Sequence, residues 1–96
     1  MFIVITSYSK SPEIVEPHFK EHCQWLNKHN KLGNFLASGP KKNQLGGAIL
    51  VRSMDRKELE SIIAEDSYAK ADVADYLIVD MDVKLAVKEF EKLIGV

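Results

Sequence analysis

Ninety-six residues suffice for one domain and not two, and a chain this short buries a thin core that often gains from association. Hydrophobic residues at 46% and charged residues at 28% are ordinary for a soluble globular protein, and a net charge of −1 with both signs interspersed offers no clustered basic face for nucleic acid. The single cysteine excludes an internal disulfide framework and fits a reducing cytosol; no apolar run approaches the roughly 20 residues of a membrane span, and Met1–Thr6 is too short for the apolar region of a signal peptide and lacks its basic one. A cytoplasmic protein with neither membrane nor nucleic-acid partner is the expectation.

Phe2–Tyr8 reads as a strand, because β-branched and aromatic residues dominate it and apolar character on both parities up to Thr6 suggests burial on both faces. Ser9–Pro12 breaks it. Ser11-Pro12-Glu13 carries a helix start, but Pro17 inside a continuous helix would cost about 3 kcal/mol. The spacing therefore predicts a single turn over Pro12–Glu16 and a main helix over Pro17–Leu32. Phe19, Cys23 and Leu26 recur at three- and four-residue intervals as its buried stripe, and His22 lies on the margin of that stripe. Lys28, His29 and Lys31 suit the negative pole of the helix dipole, and Gly33 is a natural stop.

Asn34–Ser38 reads as a short second strand ended by Gly39-Pro40. Lys41–Gly46 is a polar loop and Gly47–Arg52 a third strand, with a connection short enough for an antiparallel pair. Met54-Asp55-Arg56-Lys57-Glu58-Leu59 has a capping signature: Asp55 as cap, Glu58 as its reciprocal partner, and a staple from Met54 to Leu59. The stripe of this helix is Leu59, Ile62 and Ile63, and its next member is Asp66. Ser67–Asp75 reads as a loop and Tyr76–Met81 as a fourth strand. Asp82 then caps a final helix, Val83–Ile94, with Val83, Ala86, Val87, Phe90, Leu93 and Ile94 along one face.

The order β-α-β-β-α-β plus a terminal helix predicts an α+β ferredoxin-like plait over residues 1–96, with 81–96 as a C-terminal extension. Both main helices cover one face of a four-stranded antiparallel sheet. The other face needs a partner or the terminal helix.

In that arrangement the end of the second helix lies beside the first half of the main one, where Asp66 and His22 can meet. As a pair, Asp66 would accept a hydrogen bond from one ring nitrogen and fix the tautomer. The other nitrogen would then move a proton near neutral pH. The plainer alternative is a semi-buried histidine satisfied by a backbone carbonyl, with Asp66 merely ending its helix. A metal is not expected, because His18, His22 and His29 lack the glutamate of the zinc-protease pattern and a third ligand would have to be imported. His18 and His29 are expected on the solvated side. Cys23 and Trp25 read as core residues. Ser38-Gly39-Pro40 and Gly46-Gly47 could bring bare backbone amides near a ligand, although alone they are ordinary turn chemistry.

The histidine in His22-Cys23-Gln24-Trp25-Leu26, followed by Phe35-Leu36-Ala37-Ser38-Gly39-Pro40, Gly46-Gly47-Ala48-Ile49-Leu50 and Ala64-Glu65-Asp66-Ser67-Tyr68, resembles the YciI-like (YCII-related) family over about Met1 to Met81. The resemblance implies a dimeric α+β barrel made of two plaits packed sheet against sheet. It also implies an active site with a histidine–aspartate pair, here His22 and Asp66, and a nearby serine, here Ser38. One branch of the family includes a dehydrochlorinase acting on a chlorinated hydroxyquinol. The chain departs from the family pattern where Asp66-Ser67-Tyr68 replaces Asp-Pro-Phe and Ala71-Asp72-Val73 replaces Ala-Gly-Leu. The resulting expectation is a homodimeric, cofactor-free enzyme of lyase or isomerase type, with His22 and Asp66 as acid/base machinery and Ser38, Gly39, Pro40 and Gly47 around a small substrate. The alternative is a dimeric module that binds a small ligand without turnover.

Overall fold

In the computed structural model, which describes residues 1–95, the β-branched run Phe2–Tyr8 forms β1 and pairs antiparallel on both edges. Its neighbours are β3 (Gly46–Val51) and β4 (Ala74–Asp80), while β2 (Phe35–Pro40) pairs with β3 at the far edge. The sheet order is β2-β3-β1-β4, the antiparallel plait that the alternation of elements predicts. Gly39 and Pro40 extend β2 instead of ending it, and a register shift between Phe35 and Ala37 leaves Leu36 bulged.

Pro17 has the effect expected of it. A helical turn, α1 (Pro12–Val15), and a 3-10 turn over Glu16–His18 precede the main helix α2, Phe19–Lys31. The second main helix, α3 (Arg56–Ala64), begins after Asp55, but no capping box forms: the Asp55 side chain makes no cap hydrogen bond, and Glu58 Oε1 instead accepts from Arg52 Nη2 at 3.1 Å. Where the sequence suggests only loop, Ser67–Lys70 forms a short helix, α4.

Alternation along the strands sends Phe2, Val4, Ile49 and Val51 toward the helices, where they meet Trp25, Phe35, Leu59 and Ile62. The Trp25 indole N–H donates to the Ile62 carbonyl at 2.9 Å, which satisfies its one polar atom and joins α2 to the last turn of α3. A smaller cluster of Val15, Tyr68, Val73 and Ala74 holds α1 and α4 against the end of the sheet.

The buried face of α2 is rotated from the expected one. Trp25 and His29 are the buried residues, whereas Phe19 is 49% exposed and Cys23 and Leu26 are half-buried. His29 is not solvated, because both ring nitrogens find partners inside: Nε2 lies 2.8 Å from Glu65 Oε1, and Nδ1 accepts from Asn34 Nδ2 at 3.0 Å. Asn34 Oδ1 in turn accepts from Arg52 Nε. The His29 contact, then Lys28, holds the Glu65 carboxyl below the usual glutamate range. A lowered folded pKa means that this stabilisation is complete above the unfolded value of about 4.3 and is lost as pH falls through the folded value. The urea midpoint of Glu65→Gln should therefore trail wild type at pH 7, and the gap should narrow at pH 3.

The expected terminal α-helix over Val83–Ile94 is not formed. Only Lys88–Leu93 is helical, as a 3-10 segment with no buried residue, and Leu85 is 93% exposed. An apolar stripe holds a helix only when something receives it, and Val87 and Phe90 are left largely exposed. The sheet face away from the helices is likewise open and apolar, with Leu77 and Val79 of β4 exposed.

Candidate active site

The helix stripe that was expected to run on to Asp66 stops two residues earlier. α3 ends at Ala64, and Asp66, in extended conformation, becomes the N-cap of α4. From there the three residues Asp66-Ser67-Tyr68 all dock on the start of α2. Asp66 Oδ1 lies 2.8 Å from His22 Nδ1, the Ser67 hydroxyl donates to the His18 carbonyl at 2.7 Å, and the Tyr68 ring lies parallel on the His22 ring at 3.9 Å.

Asp66 is completely buried, so each carboxylate oxygen must be satisfied internally. Oδ1 accepts from the Tyr68 backbone N–H at 3.2 Å as well as from His22, and Oδ2 accepts the Tyr76 hydroxyl at 2.6 Å. The Tyr68 N–H and the Tyr76 hydroxyl both donate to it, and an ionised carboxylate has only acceptors to offer His22. That contact selects the tautomer with the proton on Nδ1, in which Nε2 carries the lone pair. Burial, with the Asp66 hydrogen bond next, pushes the Tyr76 phenol well above its ordinary pKa, so Tyr76 remains a donor. With Tyr68 stacked on the imidazole and Trp25 tilted against it at 5.6 Å, the ring has little freedom.

His22 forms part of the wall of a cavity of about 310 Å³ between α2 and the β2–β3 edge of the sheet. Ser38, Gly39, Pro40 and Gly47 line the same cavity, so the structure brings together all the expected site residues except Asp66, which lies sealed behind the imidazole. Phe19, Cys23 and Leu26 supply the apolar wall, which is why their stripe is not core. Ser38 pairs opposite Ile49 in register and so shares the helix-facing side. Gly47 contributes surface but no free donor, since its N–H donates to Thr6 Oγ1 at 2.8 Å, and Pro40 has no N–H at all. Burial pushes the Cys23 thiol pKa up, away from the thiolate a nucleophile needs.

Three residues that sequence reasoning passed over belong to this site: Tyr76 on the buried carboxylate, Tyr68 on the imidazole, and Tyr8 across the cavity. Tyr76 was within reach, because its parity with Ile78 places it on the helix-facing side of β4, opposite Thr6. His18 is half-buried and bound through its carbonyl, while His22 and His29 each hold a separate carboxylate, so the three imidazoles do not converge.

No curated protein matches the chain. Several solved structures are similar, and one of them matches over 84% of this chain and 93% of its own length, with a TM-score of 0.68 and 14% identity. It is 5-chloro-2-hydroxyhydroquinone dehydrochlorinase (TftG) from Burkholderia phenoliruptrix, in complex with 2,5-dihydroxybenzoquinone. At that identity the likeness speaks for the fold alone, a ferredoxin-like α+β plait. The YCII-related domain matches residues 1–82, and the chain belongs to that family.

Proposed function

We propose that the cavity is the active site of an enzyme that moves a proton on a small, planar, hydroxylated substrate, in a lyase- or isomerase-type reaction. One observation carries the reading: His22 is fixed by Asp66 through Nδ1 and stacked on Tyr68, while its ring borders a cavity large enough for a single aromatic ring. With the proton on Nδ1, Nε2 is the base that takes a proton and later returns it, and Asp66 stabilises the imidazolium between the two steps. Ser38 and the backbone around Gly39 stand opposite and would hold a substrate oxygen. Nothing in such a proton transfer calls for a cofactor. The ligand bound by the structural neighbour, a dihydroxylated quinone, supports the substrate class.

The working form is a homodimer in this reading. The sheet face without helices presents Leu77 and Val79 to solvent, and a second copy of the same face covers them by symmetry.

The test is turnover of a panel of phenolic and haloaromatic compounds by wild type and His22→Ala. Loss of general-base catalysis should lower kcat about 10²- to 10⁴-fold. Unchanged turnover in the variant would remove His22 from the chemistry. A compound that stabilises the protein yet returns unaltered after long incubation would favour a binding module in the same cavity.

A further inference from the structure

Of the buried polar side-chain atoms among the described residues, the hydroxyl of Tyr68 is the one that completes no hydrogen bond of good geometry, although the Tyr8 hydroxyl lies close to it. Tyr68 is 2% exposed, and an unpaired buried hydroxyl costs about 1–3 kcal/mol. Nothing in the packing asks for it. The ring alone stacks on His22, the backbone N–H alone caps Asp66, and phenylalanine would do both.

The surroundings of that hydroxyl are specific. Tyr68 lines the His22 cavity and also a second one of about 420 Å³, which reaches toward Pro12, Glu16 and Gln44. Tyr8 lines both cavities as well, with its ring packed edge-on against Tyr68 at 5.8 Å. Burial, then the hydrogen-bonding contact with the Tyr8 hydroxyl, pushes the Tyr68 phenol pKa well above its ordinary value, so it keeps its proton and remains a donor.

We propose that Tyr8 and Tyr68 form an oxygen-binding pair at the junction of the two cavities, whose two phenol hydroxyls donate to a carbonyl or anionic oxygen of a planar ligand stacked beside His22. This rests on the reading of the cavity as a substrate site and adds the ligand class: a ring bearing an oxygen acceptor on the side away from Ser38. Tyr8 is half-buried at the end of β1, and a turn of its side chain is the smallest movement that admits the oxygen. An oxygen that accumulates negative charge as His22 removes a proton would be held by two neutral donors shielded from water.

The experiment uses the full chain with 2,5-dihydroxybenzoquinone as probe, and compares Tyr68→Phe, Tyr8→Phe and wild type by calorimetric titration and thermal unfolding. Tyr68→Phe removes an unpaired group, so its melting temperature without ligand should equal or exceed that of wild type. Its affinity for the probe should fall about 10- to 100-fold, as for a lost hydrogen bond to a charged oxygen. Tyr8→Phe should weaken the same binding. Equal affinity in Tyr68→Phe and wild type overturns the pair, as does a fall in melting temperature without ligand, which would mean that the hydroxyl has a structural partner. No binding of the probe by wild type overturns it too. Turnover that needs His22, together with binding indifferent to Tyr68, would sink the pair alone. Tyr68-dependent binding with no turnover by any variant would sink the proton-transfer reading alone.

Discussion

Asp66→Ala is expected to destabilise the protein by about 3 kcal/mol or more, because each buried donor left without its acceptor costs about 1–3 kcal/mol. The carboxylate is fully buried and holds three donors from three elements: His22 of α2, the Tyr68 N–H of α4 and the Tyr76 hydroxyl of β4. Alanine removes the acceptor and leaves each donor without its partner. Asp66→Asn separates stability from chemistry. Its carbonyl can still accept from His22 and Tyr68, and its amide can donate to the Tyr76 oxygen, so the fold should lose only about 1–2 kcal/mol. What asparagine cannot supply is the negative charge beside the imidazole, so under the proposed mechanism turnover should fall far more than stability. Urea unfolding followed by Trp25, the only tryptophan, reads the first effect directly. A midpoint for Asp66→Ala within about 1 kcal/mol of wild type would show that the carboxylate is not the anchor its three contacts describe.

The same residue shows what the sequence could and could not convey. β1 is legible to the residue, because a β-branched run with a clear breaker after it has one reading. The Pro17 interruption is legible too, since proline geometry is local. The burial of α2 is not, for a physical reason. A cavity wall and a core are both apolar, so the stripe Phe19, Cys23, Leu26 has the same periodicity whichever it faces. His29 is buried only because Glu65 and Asn34 reach both of its nitrogens, and no local pattern around His29 announces partners 36 and five residues away. The capping signature at Asp55 failed through competition: Arg52 takes the Glu58 carboxylate that the box required. Asp66 was placed beside His22 by topology but on the wrong element, because the preference of aspartate for an N-cap outweighed continuation of the α3 stripe. The meeting of the two side chains was thus predictable from the plait, whereas the Tyr68 and Tyr76 contacts depended on where α4 and β4 begin.

Gly46→Ala is the second substitution with a large expected effect, and it acts through backbone alone. Gly46 has φ +142°, a region that side chains other than glycine avoid, and a Cβ there would stand 2.0 Å from the Thr6 carbonyl oxygen and 2.8 Å from its carbon. Neither neighbour is a flexible tip that can swing aside; both belong to the central strand. Strain of about 1–3 kcal/mol for the conformation adds to a similar overpacking cost, so a loss of about 3 kcal/mol or more is expected. Relief requires β1 to move away from the start of β3, where Thr6 pairs with Gly47, Ser7 with Gly46, and the Tyr8 N–H donates to the Leu45 carbonyl. Those are the residues that set Tyr8 and Gly47 in the cavity wall, so ligand affinity should fall along with stability. Amide exchange offers a local readout: in Gly46→Ala the Tyr8 N–H should lose protection well before that of Val4, which lies in the middle of the strand. Unchanged Tyr8 protection together with a wild-type urea midpoint would mean that the β1–β3 contact is looser than the carbonyl distance requires.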